Sequence, residues 1–219
     1  MSEASNKAYE EIKQRIQNGG FQPGDRLVER TLCTELEMSR TPVREALRIL
    51  TAEGWLTNRP RRGMIVSHIS EQEVGELFEF GMVLEAFMAS LAAKKASAPG
   101  VKNLKKLLES MAGVLSSRKP NRSSYVELDR EFHVLIATLA GNQRLATMLQ
   151  SSMNAYVLHQ AFSRYSTEEM HLSLQQHKTI VDAIERGDSE WATSAMRTHI
   201  LSGRANSRFV SLAESRSGV

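Results

Sequence analysis

The chain has 219 residues, 41% of them hydrophobic and 24% charged, with a formal net charge of +3. That is the balance of an ordinary soluble globular protein of one large or two small domains, and no apolar run approaches the roughly 20 residues needed to span a bilayer. With Cys33 as the single cysteine no internal disulfide can form, and the polar start MSEASNKAYEE lacks a signal-peptide core, so a cytoplasmic location is expected.

In chain order, Ala8 to Gln17 predicts a helix ended by Gly19-Gly20, followed by a turn at Phe21-Gln-Pro-Gly-Asp25. Glu29 to Leu36 predicts a second short helix with Leu32, Cys33 and Leu36 inward. Thr41 reads as the N-cap of a third helix with Pro42 at its first position, running to about Ala52 and stopped by Gly54. Trp55-Leu56-Thr57 and Met64-Ile65-Val66 are β-prone, and Asn58 to Gly63 joins them as a hairpin with a basic tip. After His68 the texture becomes helical, with six helices expected at about 71–96, 100–117, 122–140, 142–163, 168–186 and 189–212. The expected fold is mainly α: a winged helix-turn-helix over 1–68, then an all-α bundle over 69–219.

The charge is concentrated rather than large. From Ser39 to Ser67 there are six arginines against two glutamates, Glu45 and Glu53. On the third helix Val43, Ala46, Leu47 and Leu50 form an inner face, while Arg40, Arg44 and Arg48 form a separate stripe. The arginine fork can contact guanine or phosphate oxygens, and Arg61 and Arg62 at the hairpin tip could reach a neighbouring groove. The alternative is a solvated basic face with no partner.

In the second half, Asp129 and His133 lie four apart on one helix face with Phe132, Ile136 and Ala140. His177 shares a stripe with Ile180, Val181 and Ile184, and His199 with Ala192, Ala195 and Met196. An unpaired carboxylate on an apolar stripe is costly. Either each group is a separately hydrogen-bonded core residue, or Asp129, His133, His177 and His199 converge on a divalent metal, for which zinc, nickel and manganese all suit these ligands.

Two sets of motifs carry a family resemblance. Phe21-Gln-Pro-Gly-Asp-Arg-Leu27, Ser39-Arg-Thr-Pro-Val-Arg-Glu-Ala-Leu47, Ala52-Glu-Gly-Trp-Leu56 and Arg62-Gly63 resemble the GntR family of bacterial transcription regulators over nearly all of residues 7–67. The resemblance implies DNA contacts from Arg30, Arg40, Thr41 and Arg44, with Ser39 at the head of the motif and Arg62 and Gly63 at the wing. It departs at Glu37, where glycine is usual, which demands that glutamate tolerate or avoid a left-handed backbone. Asp129-Arg-Glu-Phe-His133, Gly141-Asn142, Gln176-His177, Ile184-Glu-Arg-Gly-Asp188 and Ala195-Met-Arg-Thr-His199 resemble the FCD effector domain of the FadR branch, and six helices suggest its VanR-like subgroup. That likeness implies a metal held by the aspartate and three histidines, and a carboxylate-bearing effector completing it. A second departure is Gly81, where the family often has an arginine facing the effector. Tyr156 and His159 are candidate pocket residues. Met82, Met88, Met148 and Met153 read as core fillers.

The expectation is a homodimeric repressor, not an enzyme, that binds double-stranded operator DNA and is released by a small organic acid. The rivals are a metal-dependent hydrolase, against which stands the lack of a nucleophile elbow, phosphate loop or HExxH motif, and a DNA-binding protein whose bundle only dimerises.

Overall fold

The computed structural model describes residues 1–152 and 165–206. The chain divides into two compact units, the first running from Met1 to Ser70 and the second beginning at Glu71.

The first unit holds α1 (Glu3–Gln17), α2 (Glu29–Glu35), α3 (Arg40–Ala52), β1 (Leu56–Arg59) and β2 (Gly63–Val66). α1 begins five residues before the expected Ala8, because Ser2 accepts from the Ser5 amide as an N-cap. Ala8, Ile12 and Ile16 pack with Val43, Ala46, Leu47 and Leu50 of α3, and Leu32, Trp55, Leu56 and Val66 complete the core. Two polar ties lock α1 to α3: the Ser5 hydroxyl donates to the Glu45 carboxylate, and Tyr9 OH donates to Glu53 at 2.7 Å. Cys33 and Leu36 are only partly buried, so Leu32 alone forms the buried face of α2.

The cap of α3 differs from the expectation. The helix starts at Arg40 with Ser39 as N-cap, which puts Thr41 and Pro42 inside the first turn. Proline is tolerated there because first-turn amides have no intrahelical acceptor. Glu37 has φ +53, so the glutamate does adopt the left-handed conformation. Its amide bonds Thr34 O at 3.3 Å and the Met38 amide bonds Cys33 O at 3.0 Å. This is the Schellman closure that glycine usually makes.

β1 and β2 pair antiparallel from Leu56↔Val66 to Arg59↔Gly63, so β1 lies later than expected and the tip shrinks to Pro60-Arg61-Arg62. The Arg62 amide bonds Arg59 O at 3.1 Å, and Arg61 has φ +65. Proline followed by a left-handed residue is the pattern of a type II turn. The turn at Pro23-Gly24 adds a third edge: Leu27 N bonds Met64 O at 2.9 Å and Val66 N bonds Asp25 O at 2.9 Å.

The second unit holds α4 (Glu71–Lys95), α5 (Ala98–Leu115), α6 (Arg122–Leu139), α7 (Gln143–Ser152), α8 (Thr167–Glu185) and α9 (Ser189–Asn206). Each of the six expected helices has a counterpart, and the expected ends of the fourth and sixth, at 163 and 212, lie outside the described residues. α5 begins at Ala98 because Ser97 caps it, accepting from Gly100 N, with Pro99 in the first turn. Ser166 and Glu169 form a reciprocal capping box on α8. The core includes Met88, Leu104, Met111, Phe132, Ile136, Leu149, Ile180 and Met196. Met88 fills this core as expected and Met82 packs partly buried against it, but Met148 is 47% exposed. Met153 lies outside the described residues.

Candidate functional site

The first unit presents the arginines outward. Val43, Ala46, Leu47 and Leu50 are buried, which turns Arg40, Thr41, Arg44 and Arg48 to the exposed face of α3. Arg30 on α2, Ser39 at the cap and Arg61 and Arg62 at the hairpin tip are exposed too, while Gly63 is half-buried with φ +75. Arg44 is not free: its Nε and Nη2 donate to Glu29 at 3.1 and 2.9 Å. That fork lowers the Glu29 carboxyl from its usual range and raises the Arg44 guanidinium. Arg26 escaped the sequence reading. Its guanidinium lies over Gly63, where a Cβ would stand 3.7 Å from its Nε, so a further positive group sits at the wing. The signal was the bridge Arg26↔Ile65, which requires the Pro23-Gly24 turn to deliver an extended segment.

In the second unit, α6 supplies Asp129 and His133 one turn apart, α8 supplies His177, and α9 supplies His199. One ligand atom from each lies within 4.8 Å of the others. His177 Nε2 is 3.2 Å from His199 Nε2 and 3.4 Å from Asp129 Oδ1, and His199 Nε2 is 3.3 Å from His133 Nε2. The three histidines are 0–7% exposed. Phe132 backs the cluster, with its ring centroid 4.4 Å from that of His177.

Two of the three outer nitrogens are directed by partners the sequence reading missed, while His177 Nδ1 is buried without a hydrogen-bond partner among the described residues. His133 Nδ1 donates to Glu85 of α4, a carboxylate only 5% exposed, and His199 Nδ1 donates to Gln176 Oε1 at 3.2 Å. With Nδ1 of each ring held outward, the two Nε2 atoms face each other across 3.3 Å, and in the metal-free cluster the proton of a charged His133 lies between them. A metal ion would take that proton's place, and the donor set of one carboxylate and three imidazoles fits a divalent metal.

The electrostatics place that proton on His133. Burial raises the Asp129 carboxyl to about 6, with His133 pulling it down and Glu85 pushing it up. For His133 burial pushes down, but Glu85 and Asp129 overcome it and the imidazole rises to about 9. His177 and His199 fall well below the usual imidazole range through burial and neighbouring imidazoles. Tyr125 and Tyr165 are raised by burial and by Asp129, and donate to Met170 O at 2.9 Å and Gly203 O at 3.1 Å. They flank the aspartate. The pocket residues offered from sequence, Tyr156 and His159, lie outside the described residues.

Gly81 is buried on α4, one turn before Glu85. A Cβ built on it would lie 3.2 Å from Glu85 Oε1 and within 4 Å of no other atom of the described residues outside its own helix backbone and chain neighbours.

No helix among the described residues is long and apolar enough to cross a membrane. Residues 4–66 match the model for bacterial regulatory proteins of the gntR family, and residues 76–202 match the FCD domain. The gluconate operon transcriptional repressor of Bacillus subtilis is 30% identical over 83% of this chain and 75% of its own length. The Nta operon transcriptional regulator of Aminobacter aminovorans is 28% identical over 82% of this chain and 83% of its own length. Among solved structures, E. coli McbR/YncC superposes with a TM-score of 0.69 at 21% identity, covering 92% of this chain and 95% of that protein. The Listeria monocytogenes regulator Lar gives 0.67 at 18% identity, over 94% of this chain and 97% of that one. These two share the fold. A family of DNA-binding regulators accounts for both halves, and the hydrolase reading falls. The chain belongs to the gntR family of bacterial transcription regulators and carries an FCD domain as its second half.

Proposed function

We propose that the protein is a homodimeric, metabolite-responsive repressor in the cytoplasm, with a DNA-binding domain over 1–68 and a sensing domain over 69–219. Arg40, Thr41 and Arg44 meet base edges in the major groove, with Arg30, Ser39 and Arg48 beside them, and Arg61, Arg62 and Gly63 approach the DNA from the wing. Asp129, His133, His177 and His199 hold one zinc, nickel or manganese ion. The observation that carries the sensing half is the convergence of three Nε2 atoms and a carboxylate, with Nδ1 of His133 and of His199 held outward by Glu85 and Gln176. Four protein ligands leave an octahedral ion two positions for the oxygens of a small organic acid.

Dimerisation is supported by an apolar row on α4. Phe80, Val83 and Phe87 recur at helical spacing and are 37%, 66% and 53% exposed. A second copy covers them in this reading, which also supplies the two recognition helices a palindromic operator requires.

The test is fluorescence anisotropy on DNA from beside the protein's own gene, with metal content measured on untagged protein. Wild type is expected to carry close to one metal per chain, to prefer that DNA over random sequence, and to release it when a suitable acid is added. Equal affinity for both DNAs would overturn the regulator reading. A metal-free protein that still responds to the acid would overturn the role of the centre.

A further inference from the structure

The family's resemblance accounts for the ligands but not for Glu85 and Gly81 together. Glu85 is 95% withdrawn from solvent, being 5% exposed. Its Oε2 is committed to His133 Nδ1. Its Oε1 has no hydrogen-bond partner among the described residues, and it lies beside Gly81, one turn earlier on α4, where a side chain is missing. Gly81 is buried, has ordinary helical backbone, and among the described residues beyond its own helix backbone and chain neighbours faces only that oxygen. Glycine in a helix interior is about 1 kcal/mol worse than alanine. The helix therefore carries a costly residue that leaves a carboxylate oxygen without a donor among the described residues, next to a histidine of the metal centre. A largely withdrawn carboxylate gains from any donor that reaches it.

We propose that the acid sensed by this protein also carries a hydrogen-bond donor, a hydroxyl or an ammonium group, that enters the space over Gly81 and bonds Glu85 Oε1. The inference rests on the reading of the centre as an acid-binding site and narrows it to hydroxy acids or amino acids. It reverses the chemistry of relatives with arginine at this position. There a cationic donor from the protein meets an anionic group of the ligand. Here the protein supplies the anionic acceptor and the ligand supplies the donor. A plain carboxylate placed over Gly81 would face Glu85 Oε1, like charge against like. The donor's task is separate from that of the acid oxygens, so preference for a substituted acid and binding of acids in general can fail independently.

The probes are matched sets: propanoate, lactate and alanine, then succinate, malate and aspartate. Each is titrated calorimetrically into the full-length, metal-loaded protein. In at least one set the hydroxy or amino acid is expected to bind about tenfold or more tightly than its unsubstituted parent, as a hydrogen bond to a charged acceptor warrants. Which substituent wins distinguishes hydroxyl from ammonium. Glu85→Gln presents an amide and should erase the preference, with metal content and helical circular dichroism measured on the same sample. Gly81→Ala gives an independent variant that strengthens the helix while placing a methyl 3.2 Å from Oε1, and should weaken the preferred acid about tenfold. Equal binding within both sets, or a preference that survives Glu85→Gln in folded protein and is indifferent to Gly81→Ala, overturns the proposal and leaves the acid site standing. Binding of none of the six at millimolar concentration overturns both.

Discussion

Loading the metal-free protein with a divalent ion at pH 7.5 should release about one proton, and that proton should come from His133. The His133 imidazole is lowered by burial but lifted further by Glu85 and Asp129, to about 9. A gap of 1.5 pH units leaves it charged roughly thirty to one. Asp129, raised to about 6 chiefly by burial, is only about 3% protonated at that pH. His177 and His199 lie well below the usual range and have no proton to give up. In the empty cluster a proton on His133 thus holds the nitrogens together, and the metal displaces it. Protons bound only in the metal-free state compete with the metal, so acid weakens binding. Apparent affinity should climb about tenfold per pH unit between about 6 and 9, flatten above 9, and steepen below 6 as the Asp129 proton must also leave. Calorimetry in buffers of different ionisation enthalpy counts the protons directly. Glu85→Gln should bring the count at pH 7.5 close to zero, because burial then dominates at His133. A count of zero in wild type, or a count untouched by that variant, would refute the charge assignment.

Replacing Arg40 or Arg44 by alanine should weaken operator binding about tenfold to a hundredfold while affecting random DNA much less, read by anisotropy on both. Arg61→Ala should instead weaken all sequences and flatten the salt dependence by about one unit, measured as log affinity against log salt. Val83→Glu together with Phe87→Glu should convert a dimer to monomer in sedimentation analysis, since each side chain is more than half exposed on one chain and is counted twice across a symmetric interface. Phe132→Ala, at a fully buried ring against His177, should cost about 3–5 kcal/mol of stability in denaturant unfolding and loosen metal binding with it.

The recurring spacings were the legible part. The i, i+3, i+4 pattern of Val43, Ala46 and Leu47 fixed which face of α3 is buried and so which arginines are exposed. The interval between Asp129 and His133 is one helical turn, so their common direction could be read without coordinates. Glu85 was not read as a partner because the stretch of helix around it has no polar side to break the pattern against. Its signal was a lone acid inside Gly81-Met-Val-Leu-Glu-Ala-Phe-Met-Ala-Ser-Leu-Ala-Ala93, where burial requires a partner whose identity depends on another helix. The cap of α3 was misread because Ser39 and Thr41 are both eligible and the Ser39 side chain makes no capping bond that a motif could encode. Glu37 posed a choice between two backbones, and only the closure onto Cys33 and Thr34 decides it.

The length of α4 has a mechanical consequence. From Glu71 to Glu85 the helix runs fourteen residues without a break, a lever arm of about 21 Å. Pivoting it by about 5° at Glu85 would swing its first residue by about 2 Å, several times the displacement a ligand need impose at the carboxylate itself. Only Ser67 to Ser70 separate that moving end from the last residue of β2. Four residues extend at most about 14 Å, so there is little slack to absorb the stroke. In the proposed sensing reading, such a stroke would raise a small shift at a buried oxygen to the scale on which a helix loses its register in a DNA groove. A flexible insert spliced between Ser67 and Ser70 should then leave acid binding and DNA binding each intact while abolishing the response of one to the other.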